Sequence, residues 1–460
     1  MKSSYIFPII LFFVIVSCEP KEEAKTTLIS GEITNPEGDI VTFRLKDTTI
    51  TDTLDANNQF ATELPLQEAT EIRFGHGDEI AMIYMRPGKA IRLTLNPEMF
   101  DETLEFSGDL SDVNNYKAAI VLLQDSLIGG RELYSLEEED FIKTLDSITA
   151  IKLNLLTKLA VADEEFKSFT INNSKWEAAS SKLLYERYHP YALGLDSFAV
   201  SSDYYSFQSL LDVSDSSNLR YPAFKRYVDG AVELRAAQLD KIQGSEGNND
   251  YGNYLTALNE IVTIKSLKAD LLYQLIKYSY LTIGEAHRGE MIEAFNLDNT
   301  DAEKGDEVAE IVAKFAKIEK GVTAPDFSFV SIDGDTLGMA DFTGKVVYID
   351  VWATWCGPCI AEHPAMEKLQ NRFKDTPVAF LAISIDSSPD PWRKMVADRE
   401  LGGIHLYAPG AWSSKINQDY VINSIPRFIL IDQEGKIVDA NAARPSGNIG
   451  DQIEGLLKSS

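Results

Sequence analysis

Cysteine is almost missing from this chain: there are three among 460 residues. That is too few for a disulfide-stapled scaffold, so each thiol needs its own reason. Positive charge is scarce as well. Lys and Arg total 43 against 71 Asp and Glu, a net charge of -28. Such a balance speaks against a nucleic-acid partner, because phosphate contacts need a basic face. It speaks equally against adsorption to anionic lipid through a polybasic patch. Histidine numbers five, and the five are scattered. No internal repeat is evident. What the chain does have is 44% hydrophobic and 25% charged residues. It is too apolar to be disordered and too long for one core, and its length suggests about three domains.

The first cysteine belongs to an address. Lys2 gives the leader a charged start, and residues 5–16 are an apolar run of 12. A bilayer-spanning helix needs about 20, so residues 1–17 read as a signal peptide rather than a membrane helix. The run ends Ile15-Val16-Ser17-Cys18, which resembles a bacterial lipobox. The resemblance implies cleavage before Cys18 and a diacylglycerol thioether on its sulfur, a firm membrane anchor. Ordinary cleavage nearby would instead leave a free thiol. Residues 18–25 read as a solvated tether, since Glu19-Pro20-Lys21-Glu22-Glu23 has no apolar content. The Lys21-Glu22-Glu23 triplet is either a charged spacer or, by resemblance to Bacteroidetes lipoproteins, a surface-export signal.

The rest of the chain is expected to fold as three parts. Residues 26–110 alternate in the period of strands, as in Ile40-Val41-Thr42-Phe43-Arg44-Leu45 and Ala90-Ile91-Arg92-Leu93-Thr94-Leu95. Turn signals recur at Asn35-Pro36, Asp55-Ala56-Asn57-Asn58, Gly75-His76-Gly77-Asp78 and Arg86-Pro87-Gly88. An all-β sandwich follows. Over 111–320 the period becomes helical (Phe141, Leu145, Ile148, Leu155, Leu159), with Asn/Ser breaks expected near 172–174, 215–218 and 247–250. Its Tyr and Leu stripes read as core of an all-α region. The acids of 298–307 lack EF-hand spacing and suit the start of a helix over 303–320. Residues 321–460 alternate strand and helix in the α/β manner, with buried strands at 345–349 and 378–383 and a hairpin across Asp432-Gln433-Glu434-Gly435. This last part carries 18 acids and 12 bases, so most of the negative charge lies in the first 320 residues and says little about the chemistry.

The chemistry is concentrated in Asp350-Val351-Trp352-Ala353-Thr354-Trp355-Cys356-Gly357-Pro358-Cys359-Ile360-Ala361-Glu362-His363-Pro364. A strand ends and a helix opens on Cys-Gly-Pro-Cys. Backbone N–H groups and the positive end of the helix dipole then favour a thiolate on Cys356. One helical turn brings Cys359 within reach, so the pair can close a disulfide. Cys356 is expected to be the exposed attacking sulfur and Cys359 the more buried resolving one, exchanging through a mixed disulfide. Here the chain resembles the TlpA/ResA-like branch of the thioredoxin fold, over 321–460. Ala324-Pro325-Asp326-Phe327 and Phe342-Thr343-Gly344-Lys345 match that branch's opening hairpin and loop. Pro364 falls where thioredoxins kink the active-site helix. The resemblance implies a cis bond between Ile425 and Pro426, beside the disulfide, helping to present a strand edge to substrate. Residues before 111 resemble the β-rich domain that Bacteroidetes thioredoxin-like lipoproteins carry.

Two carboxyls could move the protons that exchange requires. Glu362 sits where the TlpA/ResA-like branch has an active-site Glu, and Asp350 matches the buried Asp of thioredoxin. A buried carboxyl has its pKa raised and can take the proton of Cys359. Otherwise Glu362 is a solvated helix acid and Asp350 a hydrogen-bonded strand end. Where thioredoxin places a Lys near its Asp, this chain has Leu381-Ala382-Ile383, which leaves the ionisation of Asp350 open. Trp355 either shields the disulfide and contacts substrate or is a packed surface aromatic. A zinc site wants four ligands and only His363 is near in sequence; His363 reads as a helix-face residue. C-type haem attachment would need His where Ile360 stands. A peroxiredoxin would carry Thr and Pro where Ala353 and Ile349 stand. No metal or other cofactor is expected.

These residues describe a cell-envelope enzyme, lipid-anchored and facing the periplasm, that reduces disulfide-containing client proteins. Gly-Pro between the cysteines is the pair of thioredoxin, whose potential lies near about -270 mV. Family analogy implies a membrane electron donor of the DsbD type. The alternative is a surface-exposed binding lipoprotein whose β and helical parts hold a protein or glycan, with an accessory thioredoxin-like domain.

Overall fold

A computed structural model of the chain describes residues 26–46, 48–244, 251–282 and 287–458. The expected signal peptide, Cys18 and the expected tether lie outside the described residues. By compactness, the described residues through 244 together with Thr256–Thr263 form one unit, and the remainder, from Ile264 onward with 251–255, forms the other. The helices of 111–320 are therefore shared between the two units, and position 321 falls inside the second.

In the first unit eight strands make two four-stranded sheets. They are β1 (Thr26–Ile33), β2 (Ile40–Arg44), β3 (Thr49–Thr53), β4 (Gln59–Pro65), β5 (Thr70–His76), β6 (Glu79–Met85), β7 (Ala90–Leu95) and β8 (Glu105–Gly108). The sheets run β4-β1-β7-β8 and β3-β2-β5-β6. Alternation decides which side chains turn inward: Val41 and Phe43 of β2 are buried, and they share one core with Ile29, Phe60, Phe74, Ile83 and Leu93. Gly75 and His76 belong to β5 rather than to a turn, which is confined to the residues after them, where Gly77 takes a positive φ of 57°. The helix Ser111–Ser126 follows directly. Its Asn114 side chain accepts the Tyr84 N–H at 2.8 Å and donates to the Tyr84 carbonyl at 2.9 Å, on edge strand β6. Asn115 does the same to Phe106 of edge strand β8, at 2.8 and 2.9 Å.

The expected break at 172–174 is absent. The helix Glu164–Leu193 runs through it, capped by Asp163 and with Asn173 in its interior. Asn173 serves a neighbour instead: its carbonyl accepts the Ala223 N–H at 3.1 Å, at the start of the helix Pro222–Gln243. A residue that usually interrupts helices thus supplies a missing partner at the next helix's N-terminus. The break near 215–218 is real, a 3₁₀ turn Ser216–Arg220 capped by Asp215. Residues 247–250 lie outside the described residues. Aromatic stripes form the core here, as Phe141 and Tyr185 stack at 4.3 Å.

The second unit begins with helices Lys265–Thr282, Arg288–Asp298 and Ala302–Phe315. The last starts as expected, with Asp301 capping it, but ends at Phe315 and passes into a 3₁₀ turn rather than continuing to 320. Seven strands follow: β9 (Phe329–Ser331), β10 (Thr336–Leu337), β11 (Val346–Trp352), β12 (Val378–Ser384), β13 (Ile404–Tyr407), β14 (Arg427–Ile431) and β15 (Ile437–Asp439). They form one mixed sheet, β10-β9-β13-β12-β11-β14-β15. The strand β11 lies inside, parallel to β12 and antiparallel to β14, and all seven of its residues are buried. Its pleat sorts them. Val347, Ile349 and Val351 enter one cluster with Ile383 and Leu406. Val346 and Tyr348 enter another with Met366 and Leu369 of the helix Gly357–Arg372. This is a thioredoxin-like α/β domain.

Candidate active site

Asp350 shares the helix-facing side of β11 with Tyr348, because both are even-numbered on one strand. Beyond Trp352 the chain turns through Ala353-Thr354-Trp355 into the helix that starts after Cys356. That turn is tied down by Asp386, which is only 3% exposed. Asp386 accepts the Thr354 N–H at 3.1 Å, the Thr354 hydroxyl at 2.7 Å and the Ser384 hydroxyl at 2.8 Å. Three donors replace the water that burial removed from this carboxylate.

Cys356 and Cys359 are joined as a disulfide. Cys356 is the N-cap of the helix Gly357–Arg372, with Pro358 in the first turn. Its Sγ accepts the Cys359 N–H at 3.2 Å. That bond and the positive end of the helix dipole favour negative charge on the sulfur once the disulfide opens. Cys359 has no exposed surface, and Cys356 keeps only 5%. Cys356 is the less buried of the two, but it is buried rather than the exposed sulfur expected from sequence.

Glu362 is buried, at 8% exposure, and so is not a solvated helix acid. Its two oxygens accept the Ser446 N–H and hydroxyl, each at 3.0 Å. Arg444 stands 3.7 Å from Oε1. Asp350 is deeper, at 3% exposure, and its Oδ1 has no hydrogen-bond partner. Burial, reinforced by the nearby Glu362 carboxylate, pushes its pKa up to about 8. Its neighbour across β12 is Ala382, so no cation relieves it from that strand. At neutral pH the protonated form of Asp350 is therefore favoured, leaving a minor ionised fraction that can accept a proton.

Trp355 is 57% exposed and so is not a packed aromatic. The 46%-exposed Trp412 lies beside it, with ring centroids 6.0 Å apart. The Ile425–Pro426 peptide bond is cis, and Ile425 packs on the cluster that holds both cysteines. His363 is half-buried, edge-on to Trp352 at 5.1 Å, rather than on a solvated helix face. Among the described residues, no group of three or more His, Cys, Asp or Glu side chains is placed to hold a metal ion.

The structure thus gathers Asp350, Trp355, Cys356, Cys359 and Glu362 around one helix start, with Ile425 on the same core. Sequence reading missed Asp386, Ser446 and Trp412. Asp386 had a faint signal, an acid two positions after an almost wholly apolar strand. The others had none, because each reaches the site from a distant loop or strand.

Residues 319–452 match the Redoxin family. The thioredoxin-like protein YneN of Bacillus subtilis is 37% identical over 123 residues, which are 26% of this chain and 71% of that protein. The thiol-disulfide oxidoreductase ResA of Bacillus cereus is 29% identical over 142 residues, 31% of this chain and 79% of that protein. Among solved structures, the thioredoxin domain of a thiol-disulfide oxidoreductase from Bacteroides vulgatus is 28% identical, with 98% of it and 30% of this chain covered, at a TM-score of 0.28.

Proposed function

Given that this chain belongs to the Redoxin family and is a ResA-like thiol-disulfide oxidoreductase, we propose that it reduces disulfides of exported client proteins from a lipid-anchored position in the cell envelope. The observation that carries the reading is the Cys356–Cys359 disulfide at a helix start, with the Cys359 N–H aimed at Cys356 Sγ. In the reduced enzyme the Cys356 thiolate attacks a client sulfur and expels the other as a thiolate, leaving a mixed disulfide. Cys359 then loses its proton to Asp350 and attacks Cys356 Sγ. The internal disulfide forms and the second client sulfur leaves, taking a proton from solvent. Two electrons pass to the client.

Trp355 and Trp412 form an exposed aromatic wall that suits an apolar stretch of client chain, since indole rings give large contact area at low entropy cost. The cis Ile425–Pro426 segment offers a backbone edge opposite. Glu362, held by Ser446, adds negative charge that discourages ionisation of Asp350. Re-reduction would come from a membrane donor of the DsbD type. The anchor would be Cys18; among the described residues no helix is long and apolar enough to cross a membrane.

Insulin reduction by the mature protein tests the activity. Turnover should fall to background in Cys356→Ser; equal turnover refutes the assignment. The direction is tested by the redox potential: a value near that of DsbA, about -120 mV, overturns reduction.

A further inference from the structure

A cavity of about 340 Å³ lies beside the active-site helix, on the side of the sheet that carries Asp350. Asp350 and Trp352 of β11, His363 of the helix, Arg399 and His405 of β13 all line it. Four buried polar atoms on this lining have no hydrogen-bond partner: Asp350 Oδ1, Trp352 Nε1, His363 Nδ1 and His405 Nδ1. Asp350, Trp352 and His405 are each more than nine-tenths buried. Several orphans around one cavity are not a set of independent accidents, because each would cost about 1–3 kcal/mol if left unmet. The three acid and imidazole groups are not gathered closely enough to ligate one ion. A hydrated chamber meets them all: it has donors and acceptors of both kinds and room for several waters.

The chemistry of the lining suits a proton path. His405 Nε2 donates to the carbonyls of Gly402 at 3.0 Å and Leu401 at 3.2 Å, so the neutral ring turns an Nδ1 lone pair inward. Trp352 Nε1 can only donate. His363 has its Nδ1 buried in the chamber while the residue as a whole is only half-buried, which makes it the link between inside and outside. We propose that Asp350 exchanges its proton with solvent through water held in this chamber, with His363 as the relay residue in its outer wall and with Trp352 Nε1 and His405 Nδ1 holding the chain of waters. The inference rests on the exchange chemistry above and adds the route by which the proton of Cys359, once on Asp350, leaves the domain.

Other charged groups face the same space. They are Glu367 from the helix and Arg399 and Glu400 from the segment after the helix Pro389–Asp398, while Glu362, outside the lining, acts on Asp350 through its charge. Burial, with Arg399 and His405 near it, lowers the pKa of His363, and burial lowers that of His405. Both rings are thus neutral at rest, and a proton rests on Asp350 and passes over the imidazole only in transit.

The test is single turnover of the full, pre-reduced chain with an aromatic disulfide that liberates a coloured thiolate. The first release reports attack by Cys356, and the second reports resolution by Cys359. In His363→Ala the first release should keep its rate and the second should slow about tenfold at pH 7. Added imidazole should restore the second release, as no structural repair would. Trp352→Phe, which keeps an aromatic side chain but removes the N–H together with part of the indole, should also slow the second release alone. His363→Gln, which keeps bulk and polarity, covers the case in which the alanine variant does not fold, and should slow like it. A second release that is unchanged in these variants, or slowed without rescue by imidazole, overturns the relay while leaving the exchange chemistry standing. Absence of the first release in the unmodified protein overturns both.

Discussion

Asp350 carries an energetic penalty that its neighbours do not relieve. In the unfolded chain it ionises near the ordinary value of 3.8, and in the folded domain near about 8. Below both values it is protonated in either state and nothing is lost. Between them the unfolded chain sheds a proton that the folded one keeps. Stability therefore falls as pH rises through that window, by about 1.4 kcal/mol per unit at most, and levels off above it. Asp350→Asn removes the titration. The variant should match the parent in melting temperature near pH 4, exceed it increasingly up to pH 8, and resolve mixed disulfides more slowly. Calorimetry across that range checks the first claim, and a gain independent of pH would refute it. The Cys356–Cys359 pair was legible in sequence because one local pattern sets it at a helix start, whereas Glu362, Asp350 and Pro426 were named through the family resemblance. Their partners were not. Ser446 lies 84 positions from Glu362, and only chain packing joins them.

At the scale of elements, the turn between β11 and the active-site helix depends on Asp386. Asp386→Ala would leave the Thr354 N–H and two hydroxyls without an acceptor, at a cost of about 1–3 kcal/mol. The turn carries Trp355 and Cys356, so the first thiol attack should slow along with a lower urea midpoint. An unchanged midpoint with normal attack would show that the turn holds itself. The same scale explains where periodicity misled. Asn172, Asn173 and Ser174 look like a break because such side chains compete with helical backbone bonds. Within the 30-residue helix Glu164–Leu193, the Asn173 oxygen is instead taken by the next helix's first turn. The strands were plainer to read, since β11 and β12 are buried on both faces and so almost uniformly apolar.

At the scale of the whole molecule, the catalytic domain extends beyond its family match at the N-terminal side. Ile318 is 6% exposed and, with Phe315 packed against it, belongs to the core cluster that holds the cysteines. A fragment from Ile264 should keep the stability of the parent's second unit. One from Gly321 loses buried Ile318, worth about 1.5–3 kcal/mol, and partly buried Phe315, worth less, and should unfold at lower denaturant while keeping its disulfide. Equal midpoints would place those side chains outside the cooperative core. In the first unit, two consecutive amides bear on the fate of the sandwich before and after folding. Asn114 and Asn115 occupy, on β6 and β8, the hydrogen-bonding positions that an invading chain would use. On each of those two borders one residue's backbone pair is thus taken by a side chain of the very next helix, and Asn114→Ala should leave Tyr84 open to edge-to-edge association, seen as faster aggregation.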